Sequence, residues 1–147
     1  MEKHDLTNII TKSLKPLGYK KKGNYWIKNR EEVNTMVNLQ KSQYGNYFYI
    51  NYGYILNSIP LDGLMMHIYK RVATTDKVEN KLIHDLLNFE FDISDSDREE
   101  ELKRILNQYL VIPITTIETE TDILKELKEE PDLDMIPGLV RRHFNLL

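Results

Sequence analysis

Hydrophobic positions along this chain change period from helix to strand and back again. From about Lys3 to Leu14, residues Leu6, Ile9, Ile10 and Leu14 recur at the spacing of one helix face, and Pro16 and Gly18 stop the pattern. From Asn24 the period becomes two. Tyr25, Trp26 and Ile27 start a short strand, with Asn29 to Glu32 as its turn. Val33, Thr35, Val37, Leu39 and Lys41 then alternate with Asn34, Met36, Asn38, Gln40 and Ser42, which predicts a half-buried antiparallel strand. Gly45-Asn46 marks the next turn. Tyr47 to Tyr54 is extended and aromatic-rich, with Phe48, Ile50, Tyr52 and Tyr54 on one face and Tyr47, Tyr49 and Asn51 on the other. After a loop over Asn57 to Gly63, Met65 to Val72 predicts a fourth strand. Met66, Ile68 and Val72 fall on one side of it and His67, Tyr69 and Arg71 on the other; a helix is the competing reading. The basic run Lys20 to Lys22 reads as a solvated loop or a strand start.

Helical spacing returns after Thr75. Asp76 and Glu79 fit a capping box ahead of a stripe of Val78, Leu82, Ile83, Leu86 and Leu87. Phe89, Phe91 and Ile93 alternate briefly. Ser96 and Glu99 fit a second capping box, ahead of Leu102, Ile105, Leu106, Tyr109 and Leu110. Pro113 kinks or ends that helix, because it has no N–H for the turn. Thr119 or Thr121 caps a short helix carrying Ile123, Leu124 and Leu127, closed by Pro131, and a last helix spans about Pro137 to Phe144.

This order predicts an α+β fold. An N-terminal helix precedes an antiparallel sheet of three to four strands, and C-terminal helices pack on one sheet face. The opposite face is expected to be at least partly wet, and is the natural place for a site. The 147 residues make one domain, 1–147, with 41% hydrophobic and 29% charged residues. There is no Cys, which removes disulfides, thiolate nucleophiles and Cys-held zinc or iron–sulfur sites from consideration. The start, MEKHDLTNII, lacks the apolar stretch of a secretion signal, and no apolar run approaches a membrane span, so the expected location is cytoplasmic, with no membrane partner. The net charge of -3 hides an asymmetry. Residues 1–73 hold 11 Lys and Arg against 5 Asp and Glu, a net of +6; residues 74–147 hold 9 against 18, a net of -9.

Recognisable chemistry is sparse. No Gly-rich phosphate loop or H-E-x-x-H motif occurs, and His4, His67, His84 and His143 are too scattered for a metal site. No metal, cofactor or catalytic residue is expected. The acidic pairs and runs, such as Glu99-Glu100-Glu101, fit first turns and solvated helix faces. The distinctive segments are Gln40-Lys41-Ser42 and Asn51-Tyr52-Gly53. A hairpin about residues 43–46 brings Gln40 or Ser42 near Asn51. Two readings follow: a buried polar network that fixes register, or a binding surface to which Lys41, Tyr47, Tyr49, His67 and Arg71 add donors and aromatic area.

The stretch Leu14-Lys15-Pro16-Leu17-Gly18-Tyr19-Lys20-Lys21-Lys22-Gly23-Asn24-Tyr25 resembles the opening of a bacterial family of unknown function, DUF4304, as do the Gln40-Lys41-Ser42 and Asn51-Tyr52-Gly53 strand ends and a later basic residue, here Arg71. Tyr19 stands where the family usually has Phe. The resemblance is strongest over residues 14–72 and implies no activity. Small α+β families of this style are often bacterial accessory proteins, some of them immunity proteins in toxin systems. The first functional expectation is therefore a non-enzymatic protein that binds another protein, with Glu99, Glu100 and Glu101 as an acidic interface for a basic partner. The alternatives are a small-molecule or peptide-binding module built on the exposed sheet face around Gln40, Lys41, Ser42, Tyr49, Asn51, His67 and Arg71, or an uncatalogued enzyme. Nucleic acid is expected to be an unfavourable partner for a chain with so acidic a second half.

Overall fold

In the computed structural model, which describes residues 1–146, the chain forms α1 (Lys3–Leu14), five strands, and then a run of helices. The strands are β1 (Lys20–Lys22), β2 (Tyr25–Lys28), β3 (Val33–Lys41), β4 (Phe48–Leu56) and β5 (Ile68–Arg71). They make one antiparallel sheet in chain order. Lys20 to Lys22 is thus a full edge strand, one more than the pattern predicts. All three of its residues are exposed, so no buried face marks it in the sequence. Lysines on an edge also discourage a further chain from pairing there.

The central hairpin aligns Val33, Thr35, Val37 and Leu39 with Leu56, Tyr54, Tyr52 and Ile50. These residues face the helices. Two apolar clusters fill that side. One joins Leu6, Ile10 and Leu14 of α1 to Trp26, Val37, Ile50 and Phe48. It also takes in Leu86 of α2 (Lys77–Leu87) and Leu102 and Leu106 of α3 (Asp95–Leu106). The other joins Val33, Tyr54, Leu56 and Ile68 to Ile123 and Leu127 of α5 (Glu120–Leu127) and Val140 of α6 (Gly138–His143). Among the described residues no helix is long and apolar enough to cross a membrane.

Three predicted details differ. The N-cap of α3 is Ser94, whose hydroxyl accepts from the Asp97 N–H at 3.1 Å, not Ser96. The earlier start puts Arg98 in the first turns, facing α2. There its guanidinium, only 2% exposed, donates to the carbonyls of Asp85, Leu86, Asn88 and Phe91. Those carbonyls lie at the C-terminal end of α2 and just beyond it, where partial negative charge gathers and oxygens lack intrahelical partners. Asp76 caps α2 through the Val78 and Glu79 N–H groups, but the Glu79 side chain turns away to pair with Arg104 at 2.6 Å, and Val78 is 83% exposed instead of joining the stripe. Finally, of the two outcomes predicted for Pro113, a kink or an end, the helix does not end there. A π-turn over Asn107–Val111 absorbs it, with the Ile112 N–H reaching back to Asn107 O, and α4 (Ile112–Thr115) continues past the proline. Of the two threonines offered as caps, Thr119 serves, in a reciprocal box with Asp122.

The fifth strand depends on Gly53. A Cβ there would lie 1.9 Å from the Ile68 carbonyl oxygen and 2.7 Å from Met66 Sδ. Glycine lets the incoming chain cross this point closely enough for β5 to pair with β4. Gly53→Ala is expected to destabilise the protein by about 3 kcal/mol, read as a fall in the urea midpoint. A loss below about 1 kcal/mol would contradict this path for residues 66–68.

The helix-side face carries three buried phenols. Burial pushes the Tyr19, Tyr52 and Tyr54 hydroxyls above their ordinary value of 10.0. Unfolding lets them ionise near 10, so above that pH the unfolded chain binds fewer protons than the folded one. Their contribution to stability is complete below pH 10 and is lost as pH rises through the raised folded values. The urea midpoint should therefore fall between about pH 10 and 11. A midpoint level through that range would show that the phenols reach solvent.

Candidate functional site

The face of the sheet turned away from the helices carries no acid: no strand contains an Asp or a Glu. One cross-strand row runs through it in register, Lys22–Tyr25–Asn38–Asn51–Arg71. It spans about 19 Å at the usual strand spacing, with a cation at each end and two amides near the middle. Lys20 and Tyr69 lie in the next row, Gln40 and Tyr49 in the one beyond Asn38 and Asn51. The uneven charge of the sequence is therefore layered. The basic half supplies α1 and the entire sheet, and the acidic half supplies the helices from α2 onward.

The row is built around Asn51, which has 0% exposure. Its Nδ2 donates to Asn38 Oδ1 at 3.2 Å and Gln40 Oε1 at 2.9 Å, while its Oδ1 accepts from Arg71 Nε at 3.0 Å. Arg71 Nη2 also donates to Gln40 Oε1 at 3.3 Å, and its guanidinium carbon lies 4.0 Å from the centre of the Tyr49 ring. Arginine has donors only, so it dictates which way each amide points. Asn51 must turn its oxygen to Arg71, and therefore its nitrogen to Asn38 and Gln40. Asn38 then turns its own nitrogen to Asn24 O at 3.4 Å.

The consequence is a one-sided surface. Every side-chain acceptor of the three amides is used internally. Among the described residues nothing accepts a hydrogen bond from Arg71 Nη1 or Gln40 Nε2, and both residues are exposed. The cluster thus offers hydrogen-bond donors and positive charge to an acceptor such as a carboxylate or phosphate. Loss of water, then the adjacent Tyr47 ring, pushes the Tyr49 phenol up, which keeps it neutral beneath the guanidinium. A shallow depression of about 360 Å³ opens beside Gln40, Tyr44 and Tyr49.

The other expected site residues stand outside the amide–arginine cluster, although Lys41 and Ser42 border the depression beside it. Lys41 aligns with Phe48 and belongs to the opposite face, its ammonium 3.5 Å from Gly45 O. Ser42 is buried in the hairpin turn: its hydroxyl accepts from the Tyr44 N–H at 3.0 Å and its own N–H donates to Tyr47 O. His67 is fully buried, and it precedes β5 instead of alternating with Tyr69 and Arg71 on the open face. Its Nδ1 accepts from the Leu56 N–H at 2.8 Å, so the proton sits on Nε2, 2.8 Å from Pro60 O. Both ring nitrogens are committed to holding the 57–67 loop. On α3, Glu99 pairs with Lys103 and Glu101 with Arg104, while Glu100 has no ion pair among the described residues. Sequence reasoning missed Asn38, although its period-two placement beside Gln40 was a signal. Among the described residues no group of three or more His, Asp or Glu is arranged to hold a metal ion.

Fold and site together define a helix-backed antiparallel sheet with an amide-and-arginine cluster on its open face. The chain matches the family described as Domain of unknown function (DUF4304) over residues 10–125, most of its length, and it belongs to that family. No curated protein and no solved structure shows significant similarity to it.

Asn51 is the hub and Gln40 a rim residue, so their substitutions should differ. Asn51→Leu is expected to cost about 2 kcal/mol, because it strands a buried amide oxygen and frees Arg71. Gln40→Ala should cost about 0.5 kcal/mol or less. Equal losses in urea titrations would show that the network is not organised around Asn51.

Proposed function

We propose that the protein is a non-catalytic binding module that docks another protein through the open face of its sheet, with Arg71 as the anchor. One observation carries this reading. Arg71 is held by Asn51, Gln40 and the Tyr49 ring on a face without carboxylates, and still has donors to spare. No carboxylate of the chain pairs with this cation among the described residues, so its charge is not neutralised within the fold. Tyrosine and arginine are also the residues that concentrate binding energy at protein interfaces.

This reading places the interface on the basic side and calls for an acidic partner. The acidic run on α3 is a weaker candidate, because two of its three carboxylates are already neutralised by neighbours on the helix. If the protein acts in an immunity-like way against a toxin domain, that domain should present an acidic surface. A small anionic ligand in the depression beside Tyr49 is the alternative.

Affinity capture from a lysate of the source organism, at low and moderate salt, tests the side of the molecule used. A specific partner should be lost with Arg71→Glu and kept when Glu99, Glu100 and Glu101 are all changed to Lys. The reverse pattern would put the interface on α3 and reject the proposal.

A further inference from the structure

The anchor residue lies on an edge strand whose outer side is open. The Val72 N–H bonds Ile50 O at 2.8 Å, so the ladder between β4 and β5 closes at residues 70 and 72. By the alternation of antiparallel pairing, the N–H and C=O groups of Tyr69 and Arg71 point away from β4. No other segment among the described residues bonds them. Beside this edge runs a groove of about 120 Å³, lined by Ile68, Leu127, Met135, Ile136 and Pro137 and by the charged Lys70, Glu126 and Glu130. Met135 and Tyr69 are 73% and 49% exposed. The other edge of the sheet, the all-lysine β1, borders a depression of about 430 Å³ on the open face, lined by Gly18, Lys20, Lys22, Ile27 and Asn29, with no helix residue in its wall.

We infer that the partner docks by strand addition: an acidic, extended segment of another protein pairs antiparallel with the outer edge of β5. This rests on the sheet-face reading above and specifies how that face is used. The geometry fixes a short pattern. In an antiparallel pair, the residues opposite Arg71 and Tyr69 share the open face with them, and the residue between faces the helix side. The residue opposite Arg71 is acidic, because Arg71 is the unpaired cation of this edge. Lys70, its neighbour, is already bridged to Glu126. The middle residue enters the apolar part of the groove, which suits a Val or Ile. The residue opposite Tyr69 is aromatic or β-branched. Read from its N-terminus, the partner segment runs acid, apolar, aromatic.

Selection from a library of random short peptides displayed on phage tests this. The expected result is an enriched acid–apolar–aromatic order. The selected peptide should lose affinity by about tenfold or more on Tyr69→Pro, which removes one outward N–H while leaving Arg71 in place. Arg71→Glu should also abolish binding, and changing the peptide's acid to Lys should restore it. Should Tyr69→Pro fail to fold, hydrogen exchange on the wild-type complex answers instead: the Tyr69 and Arg71 amides should be slowed by the peptide. Binding that needs Arg71 but leaves those amides unprotected would overturn strand addition and keep the sheet-face reading. Failure to recover any peptide sensitive to Arg71 would overturn both. A dimer of the free protein that Tyr69→Pro dissociates would overturn the inference in favour of a second copy on this edge.

Discussion

The position of β5 is set by a missing side chain. At Gly53, the one glycine of β4, the space of a Cβ is taken by the Ile68 carbonyl and Met66, so the chain can approach closely there. That approach places Arg71 opposite Asn51. Arg71 in turn fixes the orientation of the Asn51 amide, which fixes Gln40 and Asn38. The Asn51-Tyr52-Gly53 segment is therefore one device. Asn51 organises the open face, Tyr52 packs toward the helices, and Gly53 admits the strand that completes the cluster.

Much of this was legible in the residues. The alternation of Val33, Val37 and Leu39 with Asn34, Asn38 and Gln40 announced both the strand and its two faces, and a turn at Gly45-Asn46 sufficed to bring Gln40 near Asn51. What escaped had physical reasons. An edge strand such as Lys20 to Lys22 buries nothing, so it leaves no hydrophobic period. Period two carried from Tyr69 back to His67 gave the wrong face, because the strand begins only at Ile68 and the chain before it follows its own course over Gly53. Ser94 and Ser96 each precede an acid by three residues. The choice between them belongs to a tertiary contact, the reach of Arg98 to the end of α2, which no local pattern contains.

Charge is sorted by layer more than by neighbour. The strands hold cations and no acids, while the carboxylates of α3 are partly spent on Lys103 and Arg104. The sheet and the helices behind it thus differ in charge although the net charge is only -3. An approaching macromolecule feels that difference within about a Debye length, ~8 Å at physiological salt, and is turned before it touches.

The two edges of the sheet are unequal, and this bears on how the protein behaves when concentrated. Growth of a fibre by sheet extension needs both edges of every subunit to accept a neighbour. Here β1 offers three solvated lysines, and only β5 has an unguarded backbone. Any association through β5 therefore uses up the one competent edge and terminates after a single addition. The chain can expose a pairing surface for a partner without becoming a template for its own polymerisation.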